Sequence, residues 1–207
     1  SRVFIQKTCE KFFMTEIKLV ESSFEVGNKV GGIHQVLKSK AGEMKDYYGE
    51  AYLTIGYYDE EKAREEFIPR ENPYSQIFER LEQEGIKCYY GVWNVKSKPR
   101  TILVDASGLE KDLDEIKEHY WNEYGIDSIE AGGDFDEPIR WNYGVSRLIQ
   151  ELEKENEFVV HLHEWLSGPP VFHVDSPTVF TCHATVLGRS ISNAGNEFKI
   201  NEIEDPD

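Results

Sequence analysis

Residues 16–40 read EIKLVESSFEVGNKVGGIHQVLKSK, and three textures follow one another inside that stretch. Glu16 to Glu21 carries Ile17, Leu19 and Val20 and reads as a strand. Gly27 to Gly32 is turn-rich, and Ile33, Val36 and Leu37 then fall at i, i+3 and i+4 through Lys40, which is helical spacing. A strand that passes through a glycine loop into a helix is the building unit of an α/β layer fold, not of a sandwich or a bundle.

The same alternation continues outward. Glu50 to Tyr58 predicts a second strand, and the charge run Asp59 to Glu66 is expected in solvent. Asn72-Pro73 predicts a helix start with Asn as N-cap and Pro at N1, and Tyr74, Ile77, Phe78 and Leu81 line one face up to Gly85. Lys87 to Val95 and Thr101 to Asp105 predict strands three and four. Leu109, Leu113, Ile116 and Tyr120 form a helical stripe ending near Gly125, and Ile126 to Phe135 reads as a loop. Trp141, Val145, Leu148, Ile149 and Leu152 mark another amphipathic helix within Glu137 to Glu153. Phe158 to His163 is apolar until its histidines, so a central parallel strand is expected, with Thr178 to Cys182 beside it. The expected fold is a Rossmann-like, doubly wound, mostly parallel sheet in one domain over residues 16–190, with an N-terminal extension (1–15) and an acidic tail (191–207).

Composition narrows the function. Thirty-nine acidic against 23 basic residues give a formal charge of −16, which repels phosphate backbones, so nucleic acid is not an expected partner. No stretch approaches the length of an apolar membrane span, and no membrane partner is expected. Cys9, Cys88 and Cys182 have unrelated spacings, which suits reduced thiols and a cytoplasmic location.

In a doubly wound sheet ligands bind beyond the carboxyl ends of the strands, and three such ends carry unusual residues. The first is Glu25 to Gly32. Adjacent glycines let backbone N–H groups approach an anion, the following helix start adds partial positive charge, and Lys29 adds a full one, so phosphate suits the loop. The same residues also suit a plain tight turn with Lys29 in water. The second is His161-Leu162-His163-Glu164-Trp165, where alternation sends both histidines to one face. They could serve as proton donors, sugar-binding groups or, with His183, zinc ligands of a metal-dependent hydrolase; His161 could equally be packed against backbone. The third is Thr181-Cys182-His183, followed six residues later by Arg189, a residue suited to forked contact with phosphate.

Taken together, Phe24 to Ile33 (FEVGNKVGGI), His161 to Leu166 (HLHEWL) and Thr181 to Arg189 (TCHATVLGR) resemble, in order and position, the glycogen synthases of the animal and fungal type and their archaeal relatives. The resemblance spans about residues 16–190. It implies the N-terminal, acceptor-side half of a GT-B retaining glycosyltransferase, which moves glucose from a nucleotide sugar to the 4-hydroxyl of an α-1,4-glucan. UDP-glucose is the expected donor ahead of ADP-glucose, with no cofactor and no metal. The partners implied are the donor, the glucan acceptor and a C-terminal GT-B domain absent from this chain; the complete protein is expected to be able to form a homo-oligomer, and the chain alone to be inactive. A non-catalytic glucan- or partner-binding module of the same fold is the alternative reading.

Residue by residue, the resemblance implies that Lys29 and the Gly31 and Gly32 amides face the donor phosphates. His183 would hydrogen-bond the transferred glucose, Arg189 would contact the donor, and His163 and Glu164 would shape the acceptor side; Trp165 would line the cleft or pack in the core. One departure stands out. The connection Leu166 to Pro177 is several residues shorter than the family's helix and loop, and Pro169-Pro170 sits where that helix would run.

Overall fold

The computed structural model describes residues 17–184, so Arg189 and both terminal segments lie outside the described residues. Seven strands form one sheet in the order β3-β4-β5-β2-β1-β6-β7. β1 (Leu19–Ser22) pairs in parallel with β2 (Tyr52–Tyr57) on one side and with β6 (Val159–His163) on the other. β2 continues in parallel to β5 (Arg100–Asp105), and β6 to β7 (Thr178–Thr181). β3 (Phe67–Pro69) and β4 (Lys87–Trp93) complete the far edge in antiparallel register. The sheet is therefore mixed and mostly parallel, as expected, and β6 lies one strand in from the edge.

The chain first builds outward from β1 through β2 and later returns to place β6 on the other flank of β1. The strand order reverses there, and the crevice beyond a reversal is where such sheets hold ligands. The register sets Glu21 of β1 opposite His161 of β6, and His163 opposite Thr181 of β7.

Helices cover both faces. Val20, Leu53, Ile55, Ile102, Val104, Val160 and Leu162 from the sheet pack under α3 (Ser75–Gln83), α4 (Leu113–Tyr124) and α5 (Asp136–Glu153), the last contributing Trp141, Val145, Leu148 and Ile149. Side chains of this size each stabilise the fold by roughly 1.5–3 kcal/mol when fully buried. On the opposite face α1 (Gly32–Tyr48) sets Leu37 and Ala41 against Val26, Trp93 and Val95.

Several local expectations are corrected. Asp59 to Glu66 is not plain solvated chain: Asp59 caps α2 (Glu60–Glu66) by accepting the Lys62 N–H at 3.0 Å, and Ala63 turns inward onto Phe67 and Leu103. β3, too short to show alternation, was not anticipated. Asn72 does not cap α3; its Oδ1 accepts the Tyr74 N–H at 2.8 Å in a preceding turn, and the helix starts at Ser75. Gly125 does close α4, in the left-handed conformation expected of a terminal glycine. Between β6 and β7 two short 3-10 turns, Trp165–Ser167 and Pro169–Phe172, replace an α-helix, in keeping with the two prolines.

Candidate active site

The loop after β1 folds back over the sheet. Ser23 N–H donates to the Ile55 carbonyl at 3.1 Å, and Phe24 N–H donates to Ser167 Oγ at 2.8 Å, tying the loop to the turn after β6. At Gly56 of β2 a Cβ would stand 2.0 Å from the Val26 carbonyl oxygen, so only glycine admits the loop at this height. Asn28 Nδ2 donates to the Phe24 carbonyl at 2.9 Å, and Lys62 Nζ donates to Asn28 Oδ1 at 2.8 Å. Lys29 and Gly32 emerge exposed from this frame.

The two glycine amides are not equivalent. The buried Glu25 carboxylate accepts the N–H groups of Gly31 and His34, both at 2.8 Å through Oε2, and so caps α1. The Gly31 amide, expected to face phosphate, is thus committed within the loop. Gly32, the first residue of α1, has no acceptor within its own helix and has no heavy atom within 4 Å of its Cβ position. Of the two glycine amides, only that of Gly31 is engaged by Glu25.

At the ends of β6 and β7 the charges are arranged behind His183. Glu164 is buried and adopts φ +64°, a conformation unusual for a side-chain-bearing residue. Its Oε2 accepts the backbone N–H groups of His183 and Ala184 at 2.8 and 2.9 Å. Burial alone would raise its carboxyl pKa, but these N–H donors hold it below the usual range. Glu164 is therefore a tie that orders the chain carrying His183.

His163 is also buried, and it contacts two titratable groups. Its Nδ1 is 3.0 Å from His183 Nε2, and its Nε2 is 2.6 Å from Glu21 Oε1. Glu21 is fully buried; it also receives the Tyr52 hydroxyl and the Lys40 ammonium, the latter at 2.5 Å. Burial would raise the Glu21 pKa, yet the bond from His163 and the Lys40 charge bring it down to about 2. His161 Nε2 lies 2.7 Å from Thr181 Oγ1 and its Nδ1 3.4 Å from Lys40 Nζ. Burial, with His163 and the Lys40 ammonium alongside, lowers its pKa to about 4. The His183 pKa is also lowered, first by burial and then by His163, against the opposing pull of Glu164 and Glu25.

Glu21, His161 and His163 have the spacing of a metal-binding trio, their donor atoms all lying within 4.8 Å of one another. The chemistry of the cluster argues against a resident ion. The Lys40 ammonium already contacts Glu21 and His161, and Glu21 accepts from Tyr52 and His163 as well, so a cation would have to displace a cation. That trio does not fit a resident ion.

The cluster has a consequence for stability. A carboxylate whose pKa drops on folding from 4.5 to about 2 contributes stability above pH 4.5 that is lost as pH falls towards 2. The loss amounts to about 2 kcal/mol by about pH 3. In urea melts at about pH 6 and pH 3, Glu21→Gln is expected to flatten the acid loss by about that amount. Parallel pH profiles for the two proteins would contradict the assignment.

Trp165, for which cleft and core were both open, is 39% exposed and so is not a core residue. Among the expected site residues, the fold brings His163, Glu164 and His183 into direct contact and places the Gly31 and Gly32 loop at the neighbouring strand end. Glu21, Lys40, Tyr52 and Glu25 were not anticipated. The one available signal was an acidic residue ending an apolar strand, Leu19-Val20-Glu21, with no solvent-facing position in a parallel sheet to receive it.

A family model described as glycogen synthase matches residues 21–206. The chain is 32% identical over 191 residues to glycogen [starch] synthase of Neurospora crassa, covering 87% of this chain and 27% of that protein. It is 32% identical over 208 residues to glycogen [starch] synthase isoform 2 of Saccharomyces cerevisiae, covering 91% and 30%. It is 27% identical over 200 residues to the liver glycogen [starch] synthase of Mus musculus, covering 91% and 28%. Among solved structures, the catalytic domain of starch synthase IV from Arabidopsis thaliana bound to ADP and acarbose matches with TM-score 0.42 and 15% identity, over 82% of this chain and 34% of that one. The chain spans less than a third of the length of these three relatives.

Proposed function

The chain belongs to the glycogen synthase family, and from that premise we propose that it forms the N-terminal, acceptor-side half of a retaining glucosyltransferase. The complete protein passes glucose from a nucleotide-glucose donor, UDP-glucose before ADP-glucose, to the non-reducing end of an α-1,4-glucan. A C-terminal GT-B domain supplies the rest of the donor site, so the 207-residue chain alone shows no turnover. The proposed setting is the cytoplasm.

The observation that carries this reading is the arrangement around His183, a histidine with lowered pKa held by Glu164 and His163. Cleavage of the sugar–phosphate bond builds negative charge on the departing diphosphate and positive charge on the ring. The Glu25 carboxylate already occupies the start of α1, so the donors left for the first are the Gly32 amide and the Lys29 ammonium. A neutral His183 lends a polar atom to the hexose without adding repulsion to the second. Glu21 and Glu164 are buried and engaged by cationic or N–H donors, which makes each a poor nucleophile. That favours a route in which the leaving phosphate itself takes the acceptor proton.

Arg189 is assigned to the donor phosphates alongside Lys29. In the complete protein, Lys29→Ala and Arg189→Ala are each expected to lower glucosyl transfer to glycogen at least about tenfold, about 1.4 kcal/mol of transition-state stabilisation. Unchanged kcat/KM in both variants would remove these roles. Turnover by the 207-residue chain alone would refute the two-domain reading.

A further inference from the structure

We propose that Glu21 is a positioning residue that acts through His163 to set which ring nitrogen His183 offers to the crevice. An ionised carboxylate only accepts hydrogen bonds and an ammonium only donates them. Glu21, held ionised by Lys40, therefore obliges His163 to place a proton on Nε2, the atom 2.6 Å from Glu21 Oε1. A neutral His163 then has a bare Nδ1, and at 3.0 Å that nitrogen accepts the Nε2–H of His183. With Nε2 committed inward, the Nδ1 lone pair of His183 is what remains for a ligand.

Lys40 imposes the same sense on the neighbouring ring. His161 Nδ1 lies 3.4 Å from Lys40 Nζ and 3.6 Å, beyond hydrogen-bonding distance, from Glu21 Oε1, so it accepts from the ammonium, and His161 carries its proton on Nε2 and gives it to Thr181 Oγ1 at 2.7 Å. Two charges on β1 and α1 thus dictate one tautomer for all three rings, and His183 meets a ligand as an acceptor. The tautomer chain follows from contacts within this chain; its bearing on turnover rests on the function proposed above.

The rings can be read directly by long-range 1H–15N correlation on the full chain labelled with 15N-histidine, assigned by single His→Asn variants. The expected pattern is Nε2–H for His161, His163 and His183. His163 protonated on Nδ1, alone or as the cation, would overturn the proposal because the His163–His183 bond would then run the other way. In Glu21→Gln the amide can donate as well as accept, so His163 is released, and the Nδ1–H fraction of His183 is expected to rise at least about fivefold. Tyr52→Phe, which leaves the carboxylate in place, is expected to keep the wild-type pattern and guards against a folding failure of the first variant. A folded Glu21→Gln with unaltered His183 signals would also overturn the proposal.

In the complete protein Glu21→Gln is expected to lower kcat about tenfold with donor KM within about threefold, the signature of a misdirected group rather than a lost binding surface. A wild-type protein with the expected tautomers and no glucosyl transfer would refute the function while leaving the tautomer chain intact.

Discussion

His183→Ala is expected to lower glucosyl transfer by the complete protein about a hundredfold, the scale found when one preorganised polar contact to a developing charge is removed. The reason is that little else can take its place. His163 is buried behind it, His161 is bonded to Thr181, and Glu164 is occupied with the backbone of His183 and Ala184. The loss is expected mainly in kcat, because the residues proposed to meet the diphosphate, Lys29 and Gly32, are untouched. His119→Ala is a fair control: that ring is exposed on α4, stacked on His173, and its removal is expected to leave transfer within about twofold. Equal rates for wild type and His183→Ala in steady-state assays with nucleotide-glucose would mean that the hexose does not sit here.

Gly56→Val is expected to be the most damaging single change to the fold. The new Cβ would collide with backbone, the Val26 carbonyl, and not with the tip of a flexible side chain, so relief requires the whole Ser23 to Gly31 loop to lift from β2. Overpacking of this kind costs about 3 kcal/mol, or a melting midpoint roughly 10 °C lower. The displaced loop carries Lys29 and the Glu25 cap, so nucleotide affinity should fall along with stability. Gly42→Ala, inside α1 with no heavy atom within 4 Å of its Cβ position, is expected to melt at or above the wild-type temperature. Thermal melts of the two variants side by side separate a steric clash from a general intolerance of substituted glycine.

Much of the architecture was legible because hydrophobic period reports directly on element type. The strand-loop-helix unit of residues 16–40, the amphipathic stripe of α5 and the apolar run ending in His161 and His163 all appear where the pattern places them. Short elements were less legible: β3 has three residues, too few for any period, and α2 is stabilised by its Asp59 cap and by Glu60–Arg64 pairing more than by an apolar face. Motifs located His163, Glu164 and His183 but not their surroundings. A motif marks a position without saying which way the side chain faces, and the fold buries Glu164 and His163. Glu21, Lys40 and Tyr52 were invisible for a related reason. They lie on three different elements, and only the strand register together with α1 lying over that face of the sheet brings their charges together.

The assignment meets its most direct test in a crystal structure of the complete protein with UDP-glucose or its unreactive analogue. The account predicts the diphosphate against Gly32 and Lys29 and the hexose within hydrogen-bonding distance of His183 Nδ1. Donor sugar bound away from the ends of β1, β6 and β7, with His183 facing solvent, would contradict it.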